Sequence, residues 1–270
     1  MPSPRVSRCR RQSLMDLVQQ ALRATPQHAA AHAETRRGLV AGAAGTLGSA
    51  LLERALGSGR FAAVSALVVQ PIEAALRGFE PLDFAGWQRP LRSGAADTAW
   101  IVFDRERHAN GREAAFYRPS PEALLPLARW LHAGGVRRLV IVLPHAPGLL
   151  PHALRSGLAS LDEHAVAALG FEQLVIVRSA QDASRVRAAT WMLRMVQLWL
   201  AQLRFMIPQR EQPVRVECVA ALAVEIAVAL SAATPGTRVA SPELIWQAAQ
   251  QDDLAAFARR WLGSAEAGRG

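Results

Sequence analysis

Residues 38–56 read GLVAGAAGTLGSALLERAL, and this stretch decides the fold. Gly38–Ala41 is a short apolar run, expected as a buried strand entered from Arg36-Arg37. Glycines 42, 45 and 48 follow at GxxGxxG spacing. Residues 49–56 place Leu51, Leu52, Ala55 and Leu56 at helical spacing, and Gly57-Ser58-Gly59 stops that helix. Residues 62–69, AAVSALVV, are then the next strand, closed by Gln70-Pro71. Strand, glycine loop, helix and strand thus fill residues 38–69, the length of one βαβ unit.

The alternation continues outward. AWIVFD (99–104), RLVIVLP (138–144) and QLVIVRS (173–179) are expected strands. A helix opening at Ser120 or Pro121 and ending before Gly134-Gly135 lies between the first two, and one over 158–169, ended by Gly170, between the last two. Near-continuous apolar strands separated by helices imply a parallel sheet covered on both faces. The last third reads as a helix at about 183–206 and a break at Pro208. A short strand PVRVE (213–217), a helix over 218–232, a strand-like TRVAS and two short helices at 242–250 and 252–262 follow. The expected fold class is therefore α/β, a doubly wound parallel (Rossmann) sheet with a smaller helix-rich C-terminal part. The expected organisation is a flexible basic extension over 1–37, a nucleotide-binding domain over 38–180 and a helical substrate or partner region over 181–265.

Composition excludes several chemistries. All 31 residues counted as Lys+Arg are arginine, and Tyr117 is the one tyrosine. A chain without lysine has no phosphate-loop lysine, no Schiff base and no pyridoxal-phosphate anchor. The net charge of +9 is uneven: residues 1–37 hold seven Arg against Asp16 and Glu34, and residues 38–270 hold 24 Arg against 20 acids. The body is mildly basic and lacks an aromatic-basic pattern, so no nucleic-acid partner is expected. Cys9 and Cys218 stand far apart and form no metal-ligand spacing, so no metal is expected. At 51% hydrophobic the chain can bury a full core. The first thirteen residues lack the apolar centre of a secretory signal. Glu217 and Glu225 interrupt the most apolar stretch, 216–233, which reads as a buried helix. The segment 189–207 gathers Trp191, Met195, Leu198, Trp199 and Phe205 at helical spacing. It is a core helix, a protein-partner surface or an interfacial membrane helix. A cytoplasmic location follows, with peripheral membrane contact through 189–207 as the alternative.

The glycine loop carries the chemistry. A tight turn leaves the strand, glycine lets backbone approach a pyrophosphate, and a helix N-terminus offers free N–H groups and partial positive charge. The expected cofactor-binding residues are Gly42, Ala44, Gly45, Thr46, Leu47 and Gly48, with Gln70 beyond the second strand. A purely structural turn is the competing reading in so Ala/Gly-rich a chain.

On these residues the chain resembles the extended or atypical branch of the short-chain dehydrogenase/reductase superfamily, typified by NAD(P)-binding, epimerase-like proteins. DTAWIVFD is similar to its fourth strand, AGGVRRLVIVLPHA to its fifth and ALGFEQLVIVRSAQ to the segment of its sixth. QPVRVECVAALAVEIAVAL and PGTRVASPELIWQAA are similar to its C-terminal part, so the resemblance spans about 38–250. It implies general acid work by a tyrosine whose pKa a lysine four residues on lowers, beside a serine or threonine. Here the fifth strand ends Val142-Leu143-Pro144-His145, without a hydroxyl, and the tyrosine and lysine positions fall near Arg155 and Ala159. No lysine exists to fill that place. The acid expected for the adenosine ribose is replaced by Gln70; its loss, with Arg77 as a possible 2′-phosphate partner, leans the expectation from NAD toward NADP. His145 and His152 stand where a substitute acid or base would be wanted. Asp104, Arg105, Glu106, Arg107 and His108 form either a surface ion-pair cluster or part of the cofactor's border. Arg155 and Arg178 are candidates for an anionic ligand, Arg178 also for a structural role.

The functional expectation is an NAD(P)-binding Rossmann protein without assigned catalytic residues, acting as sensor, assembly factor or scaffold. The alternative is an active NAD(P)-dependent oxidoreductase or epimerase that uses His145 or His152. Oligomeric state is left open by the sequence.

Overall fold

Apolar residues along each strand alternate between two faces, and two layers of helices answer them. In a computed structural model the chain is described over residues 36–72, 76–86, 88–104, 113–145, 160–180 and 214–267. Strands β1 (Arg37–Ala41), β2 (Ala63–Val68), β3 (Phe79–Asp83), β4 (Thr98–Val102), β5 (Arg138–His145), β6 (Gln173–Ala180) and β7 (Gly236–Ala240) form one seven-stranded sheet. The order is β3-β2-β1-β4-β5-β6-β7, and every strand pairing is parallel. The helices are α1 (Gly45–Gly57), α2 (Leu124–Ala133), α3 (Leu161–Ala167), α4 (Val216–Leu230), α5 (Pro242–Ala248) and α6 (Leu254–Ala267). This is the α/β doubly wound fold that the alternation predicts.

One face of the sheet carries Val40, Val64, Ala66, Trp100, Val102, Val140, Val142, Val175 and Val177, packed under α1, α4, α5 and α6. The other carries Leu39, Ala41, Leu67, Ile101, Leu139, Ile141, Leu174 and Ile176, packed under α2 and α3. β1 is buried in all but its first residue, and β2 and β4 throughout, as a sheet covered on both sides requires. Trp100 is fully buried, and its indole N–H donates to the Ala223 carbonyl oxygen of α4 at 3.3 Å. A Cβ on Gly38 would lie 2.7 Å from the Trp100 ring, so that glycine makes room for it. Phe61 closes the cluster edge-on, 5.2 Å away.

The chain grows from β1 outward through β2 to β3, then returns to β1's other side for β4 and continues to β7. The strand order therefore reverses between β1 and β4. Connections leaving their C-terminal ends part company and open a crevice there.

Several expectations need correction. The first helix begins at Gly45, inside the glycine loop, and not at Ser49. β4 ends at Val102, so Phe103 and Asp104 lie beyond the strand. The expected strand over 213–217 does not form across its described part, because α4 already starts at Val216 with Arg215 as its N-cap. β3 escapes the periodicity argument altogether. Its FEPLD sequence is half exposed and holds Pro81, tolerated because β3 pairs on one side only. The segments 183–206 and 189–207 lie outside the described residues.

Trp100→Ala removes a wholly buried indole and its hydrogen bond at the junction of β4 and α4. It is expected to lower unfolding free energy by about 3–5 kcal/mol in urea denaturation. A loss under about 1 kcal/mol would show that this junction does not anchor the C-terminal helices.

Candidate functional site

Three glycines shape the turn from β1 into α1, each for a different steric reason. Gly42 has φ +95° and Gly45 φ +83°, in the left-handed region that side chains disfavour. A Cβ on Gly42 would run into the Val102 carbonyl oxygen at the end of β4. A Cβ on Gly48 would run into the Gly42 carbonyl oxygen, so Gly48 lets α1 sit directly on the turn. A Cβ on Gly45 would come within 2.5 Å of Oδ2 of Asp104. The first two are packing glycines. Gly45 makes a cradle.

That cradle holds a carboxylate. Ala44 is the N-cap of α1 in extended conformation and has no side chain that can accept a hydrogen bond; the first turn carries no acid. The missing acceptor comes from the far side of the crevice. The Leu47 backbone N–H donates to Asp104 Oδ2 at 2.8 Å, and the Thr46 hydroxyl approaches the same oxygen at 3.5 Å. Leu47 is the third residue of the helix, the usual donor to an N-cap side chain. Asp104 thus caps α1 from the connection after β4, where the free N–H groups and the helix dipole favour an anion. Sequence reading names Asp104 only within a charged cluster. The signal that would have singled it out is an N-cap position filled by alanine.

Gly42, Ala44, Gly45, Thr46, Leu47 and Gly48 all meet at this turn, and all but the half-buried Thr46 are buried. Gln70 is exposed two residues past the end of β2, at the same edge of the sheet. His145 ends β5 at that edge as well. The segment after the first 3₁₀ turn (Glu113–Ala115) crosses the same ends: the Tyr117 N–H donates to the Leu67 carbonyl oxygen at 2.9 Å, the Val69 N–H to that of Ala115 at 2.8 Å. Pro119 reaches Gly42, its Cδ 3.1 Å from where a Cβ would stand.

Arg77 does not belong to this group. It precedes β3, next to Gly78, whose carbonyl oxygen accepts from the Val64 N–H at the start of β2. Gln70 follows the end of β2, so a strand of about 17–20 Å separates the two. Arg178 is committed to Glu163 of α3 at 2.8 Å, both side chains 5% exposed. That ion pair ties β6 to α3, a structural role. Ser160 accepts from the Glu163 N–H at 3.1 Å and caps the same helix. His152, Arg155 and residues 105–108 lie outside the described residues.

Among the described residues no cluster of His, Cys, Asp and Glu suits a metal ion, and no helix is long and apolar enough to cross a membrane. Two open hollows of about 370 and 460 Å³ flank edge strand β3 and do not include the glycine turn.

The Tyr117 side chain sits in an aromatic cluster. Its ring packs on Phe84 with centroids 4.5 Å apart, and Phe84 in turn meets Trp130 edge-on at 5.5 Å. Burial raises its phenol pKa above the ordinary value of 10.0. A general acid that must give up its proton near neutrality needs the opposite shift.

No protein-family model matches the chain, and no curated protein matches it. Solved structures do. A protein described as an NAD-dependent epimerase/dehydratase from Bacillus halodurans aligns over 76% of this chain and 92% of its own, at 12% identity and TM-score 0.41. The aureusimine biosynthetic cluster reductase domain aligns over 77% and 67%, at 14% and 0.40. Uronate dehydrogenase from Agrobacterium tumefaciens aligns over 85% and 89%, at 15% and 0.38. Values this low add nothing to what the strand order and the turn geometry already show.

Because Tyr117 is the sole tyrosine, its ionisation can be read by ultraviolet absorbance without assignment. The transition is expected above pH 10, in the direction burial dictates. The folded state then holds the phenol proton more tightly than the unfolded chain. This contribution to stability is complete below the unfolded pKa and is lost as pH rises through the folded one. A transition below pH 10 would overturn this reading.

Proposed function

We propose that the chain binds a dinucleotide of the NAD(P) type across the C-terminal ends of β1 and β4, and that it lacks tyrosine–lysine hydride-transfer machinery. One observation carries the binding reading: Gly45 opens a cradle at the N-terminus of α1, on the crevice where strand order reverses, and that cradle already accommodates an anionic oxygen. A diphosphate would take the backbone N–H groups of Thr46, Leu47 and their neighbours. Gly42 and Gly48 hold the turn against β4 and α1, with Ala44 at the cap. Gln70 stands past β2 to donate to and accept from a ribose hydroxyl. With Arg77 at the other end of the sheet, the side chain that leaned the expectation toward a 2′-phosphate is withdrawn, and the reading covers NAD and NADP alike.

The absence of lysine and the raised pKa of Tyr117 support a binder with degenerate catalysis, acting as sensor, assembly factor or scaffold. Residues 38–180 supply the nucleotide site in this reading. Residues 181–265 supply the partner or substrate side, with 189–207 as a protein or membrane surface. A second reading has a specific observation behind it: His145 ends β5 at the same edge of the sheet as the glycine turn. It makes the chain an oxidoreductase or epimerase with His145 as its acid or base.

Titration of the full chain with NADH and NADPH, followed by cofactor fluorescence, is expected to give saturable binding. No saturable change at millimolar cofactor would overturn the proposal. Gly45→Val should abolish binding; unchanged affinity would move the site elsewhere. If a substrate panel shows turnover that His145→Ala eliminates, the second reading replaces the first.

A further inference from the structure

We infer that Asp104 is a built-in competitor for the glycine loop, so that a dinucleotide's diphosphate enters only as the Asp104 carboxylate leaves the N-terminus of α1. This inference rests on the dinucleotide reading above and concerns how that same site is regulated.

The carboxylate occupies the position, not merely the neighbourhood. Its Oδ2 takes the Leu47 N–H at 2.8 Å and lies 3.5 Å from the Thr46 hydroxyl, donors of the kind that hold a phosphate oxygen at a helix N-terminus. The same oxygen lies 2.5 Å from where a side chain on Gly45 would begin. The space that glycine vacates for a close anion is thus taken by the chain itself. Two anions cannot share one such site: like charges a few ångströms apart in a half-buried crevice repel strongly. The cap lies beyond the last backbone rung between β4 and β5. β4 ends at Val102, and the Phe103 N–H still donates to the Val142 carbonyl oxygen at 3.0 Å. Asp104 comes after that bond, so its side chain can turn away without loss of this rung.

The consequence is a reduced apparent affinity. A ligand that binds only the open form pays for the fraction of molecules that are closed, and here closure is favoured both by a cap hydrogen bond and by the helix dipole.

The experiment compares the full-length protein with Asp104→Asn and Asp104→Ala. Asn keeps a cap acceptor and removes the charge; Ala removes both. NADH binding is followed by fluorescence, inorganic pyrophosphate is titrated in competition, and thermal unfolding is recorded with and without NADH. Asp104→Asn is expected to bind NADH about tenfold more tightly or better, with a larger rise in melting temperature. Binding by Asp104→Asn with none by the wild type supports the inference equally. Equal or weaker binding by Asp104→Asn, with saturable wild-type binding, overturns the inference and leaves the dinucleotide reading standing. Absence of binding in every form overturns both. If Asp104→Ala does not fold, the asparagine variant decides alone.

Discussion

Everything at the candidate site depends on α1 being able to lie against the ends of β1 and β4, and that depends on missing side chains. Gly42 touches the last carbonyl of β4, and Gly48 touches the carbonyl of Gly42. Any Cβ at either place would push the helix off the sheet. Held there, α1 presents its first N–H groups to the crevice between β1 and β4. It also presents its flank to α4, which packs on it and on Trp100. The same close approach thus sets the entrance of the site and the docking of the C-terminal helices. That is why β7, far along the chain, can complete a sheet begun at β1.

Much of this was legible in the residues, for reasons that can be named. β1, β2, β4, β5 and β6 are buried on both faces, so hydrophobic runs mark them without ambiguity. The glycine spacing marked the turn, because glycine is needed where φ is positive or backbone touches backbone. β3 was illegible because an edge strand with one wet face and a proline loses the pattern that burial imposes. The start of α4 was misread because Val214 and Val216 suit a strand locally, while the helix that follows decides by packing. Asp104 was visible as a residue but not as a cap, since its partner Leu47 is distant in sequence and nothing local links them. Arg77 was misplaced for a related reason. Its proximity to Gln70 in sequence concealed the length of a connection that carries the chain back to the opposite end of the sheet.

The absence of lysine has a bland cause in an arginine-for-lysine bias, yet its chemical consequence is independent of cause. Arginine stays protonated at any working pH and cannot stand in as a proton-relaying amine. The one tyrosine faces Phe84 with its ionisation disfavoured by burial. The chain thus has no lysine to lower a phenol's pKa, and partial burial moves that of Tyr117 upward.

If the chain binds a dinucleotide as proposed, the cap is the feature through which binding would change a conformation. Ala44 leaves α1 without a local acceptor, so the helix borrows one from the connection that leaves β4. The same connection returns at Ala115–Pro119 to bond the end of β2 and to lie over Gly42. A capping residue inside the α1 sequence would have stabilised the helix equally and coupled it to nothing. Borrowed from beyond β4, the cap would compete with a bound diphosphate for the Leu47 N–H and the Thr46 hydroxyl. A ligand shifts that balance only by its difference in affinity for the two. A diphosphate that cannot coexist with the carboxylate would have the largest difference the site can offer, so on the proposed reading occupancy of the crevice and position of the Asp104 side chain form a single equilibrium.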